Sequence, residues 1–149
     1  MTYQDRNNVV SIFVTLLANG YIILRLLDLN SSGAFDGPDA VNIWARTVVW
    51  IIPIAIGATI VGTILFNIAY AIVTNNEKPS FIVDERDKIF ETRGHVTMMI
   101  VGSFGVMGAI VLLAFGWSAL VGFNVIYFSM ALGSMIGDAV RFISYRIGY

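Results

Sequence analysis

At 149 residues, with 57% hydrophobic and 13% charged side chains, the chain is too apolar for an ordinary water-soluble domain and suits one unit immersed in lipid. It contains no cysteine, which excludes disulfides, thiolate metal ligands and thiol redox relays. A formal net charge of -1 gives no general attraction for nucleic acid or anionic lipid, so any such attraction must come from a local patch.

A hydrocarbon core of about 30 Å takes roughly 20 apolar residues as helix. Four runs meet that length, at about residues 9–29, 48–73, 95–115 and 119–140. They predict a single all-α membrane domain over 1–149, four transmembrane helices in an up-down-up-down bundle. The N-terminus opens on polar residues including Asp5, and Ala18-Asn19-Gly20 is a poor cleavage sequence, so the first run is expected to stay as an anchor. Asp36-Gly37-Pro38-Asp39 reads as a helix start with Pro38 in its first turn. Val41 and Trp44 would then lie at the interface, Trp50 would lie just inside it, and Pro53 should kink the second helix near Val49. Gly116, Trp117 and Ser118 alone separate the third and fourth runs, which forces a tight antiparallel hairpin.

The basic residues set an orientation. Arg6, Lys78, Arg86, Lys88, Arg93, Arg141 and Arg146 flank one side, against Arg25 and Arg46 on the other. Both termini and the connection 74–94 are therefore expected inside, in the cytoplasm of a bacterial cell, in its inner membrane.

That connection carries the densest charge in the chain. Asp84, Glu85, Arg86, Asp87, Lys88, Glu91 and Arg93 fall within the twelve residues from Val83 to Gly94. As helix, the segment puts Asp84 four residues before Lys88, Asp87 four before Glu91, and Glu91 four before His95. Ile82, Ile89 and Val96 recur every seven residues, so the third membrane helix is expected to extend backward by an amphipathic turn or two. The segment reads either as a solvated helix start or as a docking face for a partner. A metal site from Asp87, Glu91 and His95 is not expected, because that spacing swings the outer ligands apart and there is no second histidine.

The run Asp84-Glu85-Arg86-Asp87-Lys88, with Ile89, Glu91, Arg93 and Gly94 after it, resembles the signature of a family of small four-span prokaryotic membrane proteins of unknown function. Members of that family carry D-E-R-[DE] before the third span, and many end in Y-R-x-G, as Tyr145-Arg146-Ile147-Gly148 does here. The resemblance implies the four-span topology and no particular reaction. Thr92 stands where the family pattern would place an apolar residue.

Within the spans, Ser11, Thr15 and Asn19 form one polar stripe, and Thr59, Thr63 and Asn67 form another. In lipid such groups make interhelical hydrogen bonds, so Asn19 and Thr59, both near the midplane, are expected to pack helices together. Gly102, Gly105, Gly108, Gly133 and Gly137 offer small surfaces for close helix approach, within the chain or between copies. Asp138 lies nineteen residues beyond Ala119, about 28 Å along a helix, which puts it at the inner edge of the core. Arg141 at i+3 predicts an interfacial ion pair with Asp138, extended to Arg86 or Arg93, and Arg25 with Asp28 repeats the spacing at the other face.

No acid or base is stranded at the midplane, and no nucleophile stands beside a base. The expected function is therefore a non-enzymatic accessory or regulatory subunit, without cofactor, metal or nucleic acid. It would sit among membrane lipids and present Asp84 to Gly94 to a protein partner, with self-association through the glycines as an option. A small oligomeric transporter lined by Ser11, Thr15, Asn19, Thr59 and Thr63 is the rival reading. A stabilising subunit of a respiratory or photosynthetic complex is the third.

Overall fold

The computed structural model describes residues 3–74 and 85–147. Four helices account for nearly all of them: α1 (Tyr3–Ser31), α2 (Ala40–Thr74), α3 (Glu85–Ala114) and α4 (Ala119–Ile147). Each is long and apolar enough to cross a membrane, and no strand occurs among the described residues. At 1.5 Å per residue the shortest is about 43 Å long, so every helix overshoots a hydrocarbon core of about 30 Å.

The short connections explain where the helices stop. α1 ends at Gly33, whose φ of 74° suits glycine; its N–H bonds Asn30 O at 3.2 Å, and Ala34 N bonds Leu29 O at 3.0 Å. The same double bond closes α3, where Gly116 (φ 82°) bonds Leu113 O and Trp117 bonds Leu112 O. Ser118 then opens α4, its carbonyl and hydroxyl both accepting from Val121 N. α2 begins at Ala40 rather than at Pro38, with Asp39 O accepting from Ile43 N at 2.9 Å, and it continues through Pro53 as one helix.

α3 packs on α4, α4 on α1 and α1 on α2, while α2 touches α4 more lightly. The α3–α4 contact is a seam of glycines. Methyl groups added at Gly133 and Gly137 would lie 2.9 Å from Met98 O and 2.6 Å from Gly94 O, and one at Gly105 would collide with Ser129. Gly102 meets Met130 and Gly108 meets Val125 at ordinary contact distance. Lipid is as apolar as leucine, so association depends on this backbone-level van der Waals fit. The five glycines thus serve contacts within the chain.

Near the short connections, Ile22, Leu26, Trp44 and Ile51 form a buried cluster across α1 and α2 with Leu120, Tyr127 and Phe128 of α4 against it. Trp44 belongs to this core. Its Nε1 donates to Asn124 Oδ1 at 2.9 Å, and its ring stacks on Phe123 with centroids 5.6 Å apart. Trp50, by contrast, is exposed on the outer surface of the helices.

Candidate functional site

The segment that sequence alone assigns to a connecting loop is helical from Glu85 onward, so the charged residues 85–94 are the first turns of α3. Glu85 and Asp87 occupy that first turn, where carboxylates oppose the positive end of the helix dipole. Ten residues add about 15 Å, roughly the length by which α3 exceeds the hydrocarbon.

Helical periodicity divides the charges. Asp87, Phe90 and Gly94 are buried and Glu91 is half-buried, whereas Glu85, Arg86, Lys88, Thr92, Arg93 and His95 are exposed. The buried side meets α4. Phe90 packs edge-on against Tyr145 with ring centroids 5.1 Å apart, and Gly94 gives room for the Arg141 side chain.

Arg141 is the centre of this end of the molecule. Its Nη1 donates to Asp138 Oδ1 at 2.7 Å, and its Nε lies 3.4 Å from Glu91 Oε2, a charge contact without hydrogen-bond geometry. Asp138, 2% exposed, also accepts from Ser11 Oγ at 3.0 Å, and its backbone carbonyl accepts from Asn8 Nδ2 at 3.2 Å. α1, α3 and α4 are thereby tied together. The buried Arg6 sets its guanidinium 4.4 Å from the centroid of the Tyr70 ring, which adds α2. Glu91 also faces His95, whose Nδ1 lies 3.9 Å from Glu91 Oε2 and 2.9 Å from Glu91 O.

The sequence-derived contact set is thus split. Asp84, Lys78 and Gly148 lie outside the described residues. Asp87, buried and partnered, and the half-buried Glu91, which pairs with Arg141, lie toward the inner side of α3. Glu85, Arg86, Lys88 and Arg93 remain as the presented charges. The Asp138–Arg141 pair is present, and the further charge that joins it is Glu91 rather than Arg86 or Arg93. Arg25 and Asp28 pair at 2.6 Å at the opposite end. Among the described residues no three His, Asp or Glu side chains converge as a metal site.

The polar stripes also divide. Asn19 does link helices, accepting from Tyr127 Oη at 3.3 Å and donating to Thr15 O. Thr59 does not: it is exposed and returns its hydroxyl to Ala55 O at 2.8 Å within its own helix. Of the five residues that would line a transport path, Thr15, Asn19 and Thr59 share one cleft, Ser11 belongs to the Asp138 cluster, and Thr63 lines neither. Arg6, Asn8, Tyr70, Phe90 and Tyr145 are members of the charged end that spacing does not reveal, since their partners lie on other helices.

The chain matches no known family model, no curated protein and no solved structure.

Proposed function

We propose that this multi-pass membrane protein is a non-enzymatic accessory or regulatory subunit of a bacterial inner membrane. It offers the outer side of the first turns of α3 to a protein partner at the cytoplasmic surface. The observation that carries this reading is the division of charge on α3. Asp87 and Glu91 are turned inward, and Arg141 holds Glu91 against Asp138. Glu85, Arg86, Lys88 and Arg93 are therefore displayed on a helix already fixed in place. A preorganised element loses little conformational freedom on binding, so its few contacts translate efficiently into affinity. The excess of basic residues at this end supports the cytoplasmic orientation.

The test is a photo-crosslinking amino acid at Glu85 or Thr92 in cells, with and without the Arg86→Ala/Arg93→Ala pair. A specific adduct that disappears in the double variant, with membrane insertion unchanged, supports the reading. Adducts indifferent to both arginines count against it.

A further inference from the structure

α2 and α4 touch only lightly, and the space between them, lined also by α1, forms an open cleft of about 550 Å³. Its lining is apolar except for a short ladder of polar groups that includes Thr15, Asn19, Tyr127 and Ser134. Asn19 and Tyr127 satisfy one another at 3.3 Å. Among the described residues, the hydroxyls of Thr15 and Ser134 make no hydrogen bond, not even the return bond to their own helix that Thr59 makes. α1 and α4 are cross-linked by Ser11–Asp138 toward one end and by Asn19–Tyr127 toward the other. Thr15 and Ser134 lie between those two links along their helices, and both residues line the cleft.

A hydroxyl held without a partner in an apolar medium costs free energy that an acceptor on a bound molecule would recover. The volume falls in the roughly 300–1,000 Å³ range of small-molecule sites. Ser134 lies four residues, about 6 Å, to the membrane side of Asp138. Phospholipid ester carbonyls stay near the headgroups, above that level, so the matching acceptor belongs to a molecule dissolved wholly in the hydrocarbon. The far end of the cleft is walled by Trp44, Phe123 and Tyr127, which suits a flat ring or an unsaturated chain.

We propose that this cleft binds an isoprenoid quinone, with a ring carbonyl accepting from the Thr15 and Ser134 hydroxyls and the apolar body lying along α2 toward Trp44. Binding alone is proposed, with no electron transfer.

The test uses Trp50→Phe/Trp117→Phe, which leaves Trp44 as the sole tryptophan, reconstituted in phosphatidylcholine vesicles and titrated with decylubiquinone. Saturable quenching of Trp44 is expected. Thr15→Val/Ser134→Ala, which nearly conserves shape, should raise the half-saturating concentration roughly tenfold, the effect of two modest hydrogen bonds. Ala131→Phe, which fills the cleft, should leave only linear quenching. Linear quenching of equal slope in all these proteins would overturn the proposal, as bulk partitioning alone. Efficient disulfide cross-linking of Ala131→Cys between two copies, with quencher excluded, would overturn it in favour of a second chain.

Discussion

Gly94 and Gly137 meet across the α3–α4 seam so closely that a methyl group on Gly137 would lie 2.6 Å from the carbonyl oxygen of Gly94. The neighbouring atom is backbone and cannot rotate away. Gly137→Ala should therefore push the two helices apart and cost about 1–3 kcal/mol, the range for overpacking a close contact. Gly20→Ala, where nothing lies within 4 Å, should be neutral or mildly stabilising. Unfolding in mixed micelles by increasing SDS, followed by tryptophan fluorescence, compares them. Equal midpoints for Gly20→Ala and Gly137→Ala would mean that the seam is not tight.

Gly105 allows a stricter test of the same seam, because its obstacle is a side chain. A methyl group there collides with Ser129, whose hydroxyl otherwise bonds Ile126 O at 2.9 Å. Gly105→Ala should destabilise, and Ser129→Gly should recover much of the loss when the two are combined. The double-variant cycle isolates that coupling, and simple additivity would show that the two positions do not touch.

The spans, the tight α3–α4 turn, the glycine seam and the Asp138–Arg141 pair are legible in the sequence because each is local: a hydropathy run, a gap of a few residues, an i,i+3 spacing. α3 does extend backward, but Ile89 and Val96, whose recurrence with Ile82 suggested it, are exposed and its packed side is that of Asp87, Phe90 and Gly94; Ile82 lies outside the described residues. What spacing does not disclose is which side of a charged helix is covered. Asp87 and Glu91 share a face in any helical reading, but that face turns inward because Arg141, fifty residues after Glu91, comes to rest beside it. The partner of Trp44 is hidden by the same limitation, since its bond to Asn124 exists only once α4 is docked. Thr15, Asn19 and Thr59 are similar residues in similar stripes, yet only Asn19 finds a partner on another helix.

The Asp138 cluster predicts strongly non-additive behaviour. Asp138→Ala removes the acceptor of Ser11 and the closest partner of Arg141, whose side chain is only 14% exposed. The loss should be about 3 kcal/mol, toward the low end for a broken buried pair, because Glu91 still faces the guanidinium. Adding Arg141→Leu should recover part of the loss, since the guanidinium stranded by the loss of Asp138 is then gone. Ser11→Ala alone should cost only about 0.6 kcal/mol, typical of one hydrogen bond between membrane helices. SDS unfolding of the four proteins reads the cycle. A double variant as unstable as the sum of the two singles would show that the pair is not coupled.

The absence of cysteine makes the division of α3 directly measurable, because any thiol introduced is the sole one in the chain. Cysteine at Glu85, Lys88 or Thr92 should react readily with a maleimide, since these positions are exposed. Cysteine at Asp87 or Phe90, positions 5% and 6% exposed, should react at least about tenfold more slowly, as labelling there requires α3 to lift from α4. Arg141→Ala should narrow that gap by removing the charge that holds Glu91. A membrane-impermeant reagent should label the exposed set in inverted vesicles and not in intact cells. Uniform rates around the helix would mean that residues 85–94 are not docked on α4. Labelling from outside intact cells would reverse the orientation on which a cytoplasmic contact depends.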